Sequence, residues 1–201
     1  MTRPEKVVLA TNNAKKLAEL RRVVEAAGVD VEVLGLADFE PYPDPAETER
    51  SFEGNAFLKA EAAVAATGIA AVADDSGIEV AELNDMPGVR SARWAGPECD
   101  DDANLRLLLR QLDGVPAARR GARFVCALAL VTPEGQRRLW RGEMPGRVAE
   151  LPAGEHGFGY DPIFVADGFD VTTAELDPAE KDAISHRGQA VRAFVEWLKE
   201  A

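Results

Sequence analysis

The stretch Ala73-Asp74-Asp75-Ser76-Gly77 follows directly on a short apolar run, Ile69 to Ala73, and sets the terms for the rest of the chain. Read as a strand, the run delivers two adjacent carboxylates, a hydroxyl and a glycine to its carboxyl end, where open α/β sheets place their ligands. Neighbouring residues on an extended chain point to opposite faces, so Asp74 and Asp75 are expected to do different jobs. One can face a cleft and hold a metal or a water; the other can face inward and orient the loop. Asp, Ser and Gly are also ordinary turn residues, and a solvated acidic turn explains this stretch on its own equally well.

The surrounding pattern is α/β. Lys6 to Ala10 reads as a buried strand, Thr11-Asn12-Asn13 as a polar turn, and Leu17, Leu20, Val24 and Ala27 as the apolar spacing of a helix that Gly28 ends. Val31 to Leu34 suits a second strand, so the chain opens as a βαβ unit with a mixed or parallel sheet. Residues 40–51 read as a proline- and acid-rich loop, and Asn55 to Thr67 as an alanine-rich helix stopped by Gly68. Leu83 to Gly96 reads as a loop or short strand. Asp100-Asp101-Asp102 caps a helix with Leu105, Leu108, Leu109 and Leu112 on its apolar face. Arg123 to Val131 and Arg137 to Glu143 flank Thr132-Pro133-Glu134-Gly135 as a hairpin, and Gly146 to Glu150 extends the sheet. Ile163 to Val165 is a short strand, and a last helix carries Val191, Phe194, Val195 and Leu198. With no repeat and no linker, residues 1–201 read as a single domain.

Bulk composition narrows the function. The formal net charge of −12 argues against a nucleic-acid binder, which needs a basic surface. No apolar run approaches the roughly 20 residues of a membrane span. The opening Met1-Thr2-Arg3-Pro4-Glu5-Lys6 leads into only four apolar residues and does not read as a secretory leader. Two cysteines, Cys126 in an apolar strand and Cys99 in an acidic loop, make no disulfide framework, and a cytoplasmic protein is expected.

Four clusters carry candidate chemistry. Thr11-Asn12-Asn13-Ala14-Lys15-Lys16 lies between strand and helix, where free backbone N–H groups attract phosphate; a plain helix cap uses the same residues. Glu47, Glu49 and Glu53 precede Asn55 and Lys59, which share a helix face. Such carboxylates can share a hard divalent cation with a second acidic cluster, or form a solvated loop. Gly157-Phe158-Gly159-Tyr160-Asp161 lets the backbone approach a flat ligand while a ring stacks on it; alternatively the aromatics plug the core. Lys181 with Ser185-His186-Arg187-Gly188 forms a basic pocket at the entrance to the last helix, where Ser185 also suits a cap. Two histidines without cysteine at metal spacing argue against zinc. There is no Walker loop and no Gly-x-Ser-x-Gly elbow. Phosphate cradle, metal carboxylates, base platform and basic clamp together make the inventory for a nucleotide.

In combination these motifs resemble a known family. Thr11-x-Asn13-x-x-Lys16, Phe52-x-x-Asn55-Ala56-x-x-Lys59-Ala60, Ala73-Asp74-Asp75-Ser76-Gly77, Pro87-Gly88 with Ser91-Ala92-Arg93, Gly157-Phe158-Gly159-Tyr160-Asp161-Pro162 and Ser185-His186-Arg187-Gly188 occur in the order seen in the inosine triphosphate pyrophosphatase family. Its bacterial members are dITP/XTP, or noncanonical purine NTP, pyrophosphatases. The resemblance spans about residues 7 to 198. It implies an elongated, two-lobed α/β fold with a central mixed sheet flanked by helices and a nucleotide cleft between the lobes. It also implies a homodimer, Mg²⁺, and hydrolysis of ITP, dITP or XTP to monophosphate and pyrophosphate. By position, Thr11, Asn12, Asn13, Ala14, Lys15 and Lys16 would hold the triphosphate. Asp75 would be proton acceptor and Mg²⁺ ligand, with Glu47 the second ligand. Ser76 would touch the substrate, Phe158 would stack on the purine, and Gly159, Tyr160 and Asp161 would shape the base pocket. Lys181, His186 and Arg187 would complete the base and phosphate contacts.

This chain departs from the family pattern at three places. Glu49 stands for a usual glycine, Gly54 for a usual acid, and Asn84-Asp85 for a usual Gly-Gly. The first two adjoin the metal ligands and leave Glu53 as a substitute for Glu47. The alternatives are a catalytically silent purine-nucleotide sensor and a Maf-like pyrophosphatase with another base preference.

Overall fold

A computed structural model describes residues 3–201. Met1 and Thr2, the start of the segment read above as lacking a leader, lie outside the described residues. The strands are β1 (Lys6–Leu9), β2 (Glu32–Gly35), β3 (Ala71–Val80), β4 (Met86–Pro87), β5 (Gly121–Val131), β6 (Arg137–Val148) and β7 (Phe164–Ala166). The helices are α1 (Ala14–Ala26), α2 (Phe52–Thr67), α3 (Asp101–Gln111), α4 (Pro178–Ile184) and α5 (His186–Glu200). The sheet is mixed, in the order β2-β1-β3-β5-β6-β7, with β4 paired antiparallel to β3. β1 pairs parallel with β2, in keeping with the opening βαβ pattern, and also with β3, while β6 pairs antiparallel with β7.

The chain divides into two compact units. The first holds the residues up to Asp75, Ala127–Arg141 and Gln189–Ala201; the second holds Ser76–Cys126 and Gly142–Gly188. In the first, α2 buries Ala56, Ala60 and Ala63, spaced i, i+4, i+7, so a narrow face of methyl groups meets the sheet. Ala60 packs with Ala73 of β3 and Val131 of β5. Contact between such small side chains lets helix and strand approach closely, and it brings the adjacent α2 stripe, Asn55 and Lys59, over β3. Val191, Phe194, Val195 and Leu198 of α5 are all buried, and the Phe194 ring meets Trp140 edge-on at 5.1 Å. In the second unit, Ile78, Leu105, Leu108, Leu112 and Phe164 form the core. Phe124 joins it, its ring 4.6 Å from that of Phe164.

The elements depart most from the sequence reading at four places. β3 does not end at Ala73: it runs ten residues, straight through Asp74-Asp75-Ser76-Gly77, so the aspartates sit mid-strand rather than at a carboxyl end. Asp and Gly are poor strand formers, but β3 lies beside β5 in the sheet, and strand pairing outweighs local preference. α2 starts at Phe52, because the Ser51 side chain caps it by accepting from Gly54 N at 3.1 Å. The second hairpin strand continues to Val148, absorbing most of the proposed 146–150 extension. The short helix α4, capped by Asp177 and opened by Pro178, was not expected.

Candidate active site

Alternation along β3 separates the two aspartates by partner. Asp74 pairs with the Lys16 ammonium at 2.6 Å. Asp75 accepts from Asn55 Nδ2 on one oxygen at 3.1 Å and from Lys59 Nζ on the other at 3.0 Å. Both carboxylates are buried. Lys59 also reaches Glu47 at 2.6 Å, so one ammonium lies between two carboxylates. Burial pushes the Asp75 carboxyl above its ordinary value; Lys59 and Asn55 pull it down without cancelling the rise, and the Glu47 charge adds to it. Burial works against the Lys59 charge, but Asp75 and Glu47 outweigh it and hold the ammonium more tightly than in an exposed lysine.

The structure thus brings Glu47 and Asp75 onto one cation position. Glu53 is engaged elsewhere, by the Arg141 guanidinium. Glu49 donates its backbone N–H to Asn55 Oδ1 at 3.0 Å. Among the described residues, no group of three or more His, Cys, Asp or Glu side chains could hold a metal ion. A protein-only cage is therefore not what this site offers. Mg²⁺ does not need one: it takes one or two carboxylates and completes its shell with water and substrate phosphates. Two hard oxygen donors already sharing a cation fit that demand.

The segment Thr11 to Lys16 forms a helix cap. Asn13 Oδ1 accepts from Lys15 N and Lys16 N, and Thr11 Oγ1 accepts from Asn13 N. Those backbone donors are thus engaged by side chains. What the segment presents is the exposed Asn12, Ala14 and Lys15, together with the partly exposed Lys16 ammonium held over β3.

In the second unit, Ser76 is half-buried on β3. A Cβ at the next residue, Gly77, would lie 2.7 Å from Gly88 O and 2.9 Å from Ser91 Cβ. Ser91 Oγ accepts from Ile78 N at 2.9 Å, and Ser91 O accepts from the Tyr160 hydroxyl at 2.8 Å. Tyr160 is buried, which raises its pKa, with Asp101 adding to the rise. Phe158, in contrast, is 76% exposed, a ring face available for stacking. Asp161 holds the loop: it accepts from Phe158 N at 2.8 Å, from Thr173 Oγ1 at 2.9 Å and from Lys181 Nζ. The Lys181 ammonium also lies 5.3 Å from the Phe158 ring centroid. His186 opens α5 with its ring stacked on Phe124 at 5.0 Å, and Arg187 follows in the first turn. Ser185 Oγ accepts from Gly188 N at 3.0 Å, so it caps α5.

Three residues with site contacts carried no role in the sequence reading. Asn55 and Lys59 hold Asp75; their i, i+4 spacing was visible, but not which carboxylate they would meet. Asp101 was read as part of a cap. Asp100 makes that cap through Ala103 N, while Asp101 accepts from Gly159 N at 3.0 Å and braces the aromatic loop.

The Ham1 family model matches residues 7–197. A dITP/XTP pyrophosphatase of Nocardia farcinica is 58% identical over 194 residues, 96% of this chain and 94% of that protein. The crystal structure of a nucleoside-triphosphatase / dITP/XTP pyrophosphatase from Mycobacterium abscessus superposes with a TM-score of 0.84 at 55% identity, covering 96% of this chain and 99% of that one. A HAM1 protein from Coxiella burnetii superposes with a TM-score of 0.92 at 39% identity, with each chain fully covered.

Proposed function

This chain belongs to the Ham1 family, and on that premise we propose that it hydrolyses deaminated purine nucleoside triphosphates (dITP, XTP and ITP) to the monophosphate and pyrophosphate. The observation that carries the chemistry is the Lys59 ammonium shared between Glu47 and Asp75. It marks a position built for positive charge beside a buried carboxylate. Glu47 and Asp75 are the residues that would hold Mg²⁺, which neutralises charge on the triphosphate when bound.

Asp75 orients the attacking water and takes its proton as the oxygen bonds to the α-phosphorus. The bond between that phosphorus and the bridging oxygen breaks, and pyrophosphate leaves with the electron pair. Thr11, Asn12, Asn13, Ala14, Lys15 and Lys16 bind the phosphates, with Lys16 supplying charge, and Ser76 contacts the substrate. Phe158 stacks on the purine, which its exposure supports. Gly159, Tyr160 and Asp161 shape the base pocket, and Lys181, His186 and Arg187 complete the base and phosphate contacts. Arg187 only donates hydrogen bonds. It therefore suits the 6-carbonyl of hypoxanthine or xanthine, whereas the 6-amino group of adenine would leave it unpaired at a cost of about 1–3 kcal/mol. We further read the protein as a cytoplasmic homodimer with no nucleic-acid partner, in keeping with a net charge of −12. No helix among the described residues is long and apolar enough to cross a membrane.

Pyrophosphate release from dITP, XTP, dATP and dGTP, each with and without Mg²⁺, tests the proposal. Metal-dependent release from dITP and XTP, with weak release from dATP, is the expected result; guanine carries the same 6-carbonyl, so any selection against dGTP comes from the 2-position and not from Arg187. Release from dATP equal to that from dITP would leave a pyrophosphatase and remove the base-selection account. Tight dITP binding without release would identify a sensor instead.

A further inference from the structure

Asn55 is wholly buried, and both ends of its amide are used. Nδ2 donates to Asp75 Oδ2 at 3.1 Å, while Oδ1 accepts the backbone N–H of Glu49 at 3.0 Å. One side chain therefore spans the strand that carries Asp75 and the loop that carries Glu47, two residues before Glu49. No other residue type of this size both donates and accepts in this way: an ionised Asp cannot donate, and Leu can do neither. With Oδ2 held by Asn55, Asp75 Oδ1 is the oxygen turned to the cation position shared with Glu47.

The neighbouring Gly54 makes the loop's path possible. A Cβ at position 54 would lie 2.6 Å from Glu49 Cβ and 2.7 Å from Glu49 Cγ. A change of rotamer cannot clear Cβ, because Cβ is bonded to the backbone. Any side chain at 54 must move the loop at Glu49, and with it the N–H that Asn55 accepts. Gly54 lies within α2, so what it supplies is space.

We infer that Asn55 is a positioning residue that couples Asp75 to the Glu47 loop, and that the coupling requires the space left at Gly54. The inference rests on the reading that Glu47 and Asp75 take the divalent cation. Groups that orient a metal's ligands typically change affinity or activity by about 10–100-fold when removed.

The test is Mn²⁺ binding to the full chain without nucleotide, followed by loss of the free-ion EPR signal, with dITP hydrolysis and thermal melts alongside. Asn55→Leu and Gly54→Ala are each expected to weaken Mn²⁺ binding about 10–100-fold. Adding Glu49→Gly to Gly54→Ala removes the colliding atoms and restores binding. Adding Glu49→Ala instead keeps Cβ and does not restore it. If Asn55→Leu fails to fold, the Gly54→Ala series decides alone. Mn²⁺ binding at the wild-type level in Gly54→Ala, or equal rescue by Glu49→Ala and Glu49→Gly, would overturn the inference. A wild-type protein that binds no Mn²⁺ would instead overturn the reading that Glu47 and Asp75 take the cation, and one that does not hydrolyse dITP would overturn the proposed function.

Discussion

Asp75 and Asp161 are both buried carboxylates paired to a lysine, yet they are built for different ends. Asp75 sits on a strand, and its lysine is divided between two acids, Glu47 and Asp75. Asp161 opens a short 3-10 turn, Asp161–Ile163, and backbone, hydroxyl and ammonium donors all converge on it. The first carboxylate is held by a rigid element and keeps an oxygen facing a cation that a divalent ion could replace. The second is fully engaged in fastening its own surroundings: the Phe158 N–H, Thr173 and Lys181. A buried acid whose partners leave its charge costly is available for chemistry, whereas one saturated with donors is architecture. The burial-driven rise of the Asp75 pKa belongs with the first description.

Substitution separates the two most sharply. Asp75→Asn is expected to lower kcat/KM for dITP by about 10²–10⁴-fold, the range for loss of a proton acceptor. Its melting temperature should fall less than that of Asp161→Asn, because the loss of the Lys59 and Asn55 contacts is offset by removal of a charge that burial disfavours. A large fall in Tm would make Asp75 architectural and erase the contrast. Asp161→Asn should do the reverse. Breaking a buried pair costs about 3–5 kcal/mol, so Tm should drop clearly while KM rises more than kcat falls. Steady-state kinetics and melts on the two variants are the comparison's direct test.

Acid dependence gives a smaller but directional effect. The folded Asp75 holds its proton above the unfolded value, so it contributes to stability at low pH. That contribution fades as pH rises from the ordinary carboxylate value through the folded one. Lys59→Met removes the main group opposing the rise. In melts without divalent metal the window should then extend to higher pH. An unmoved window would detach it from Asp75. The smallest effect is expected at Asp101→Ala, which frees Gly159 N–H. An exposed hydrogen bond is worth about 0.5–1.5 kcal/mol, read as a modest rise in KM for dITP with kcat preserved. A matching loss of kcat would mean that the loop does more than position the base.

Much of this was legible in the chain itself. The βαβ opening, the hairpin and the apolar face of the last helix follow from hydrophobic spacing, and the structure has them. Alternation along a strand likewise sends Asp74 and Asp75 to different partners, Lys16 for the first and Lys59 with Asn55 for the second. The reading failed where a local preference met a tertiary constraint. Asp-Asp-Ser-Gly looks like a turn, and Asp177-Pro178 to Ile184 carries too few apolar residues to announce a helix. Neither pattern records the neighbouring strands or the loop contacts that decide the matter. Asp101 was legible as a first-turn acid but not as a brace, because its partner Gly159 lies 58 residues away.

The sequence by itself determined the inventory: which residues are acids, amides, lysines and aromatic rings, and which periodicities place them on strands, helices or loops. Tertiary structure alone decided the pairings. Asn55 meets Asp75 across 20 residues, and Lys16 meets Asp74 across 58. Such contacts depend on how closely α2 and α1 approach β3, and buried methyl groups such as Ala60 and Ala73 set that approach for α2. Local patterning carries no measure of that distance, so the chain can name the groups of a site without saying which carboxylate will share its cation.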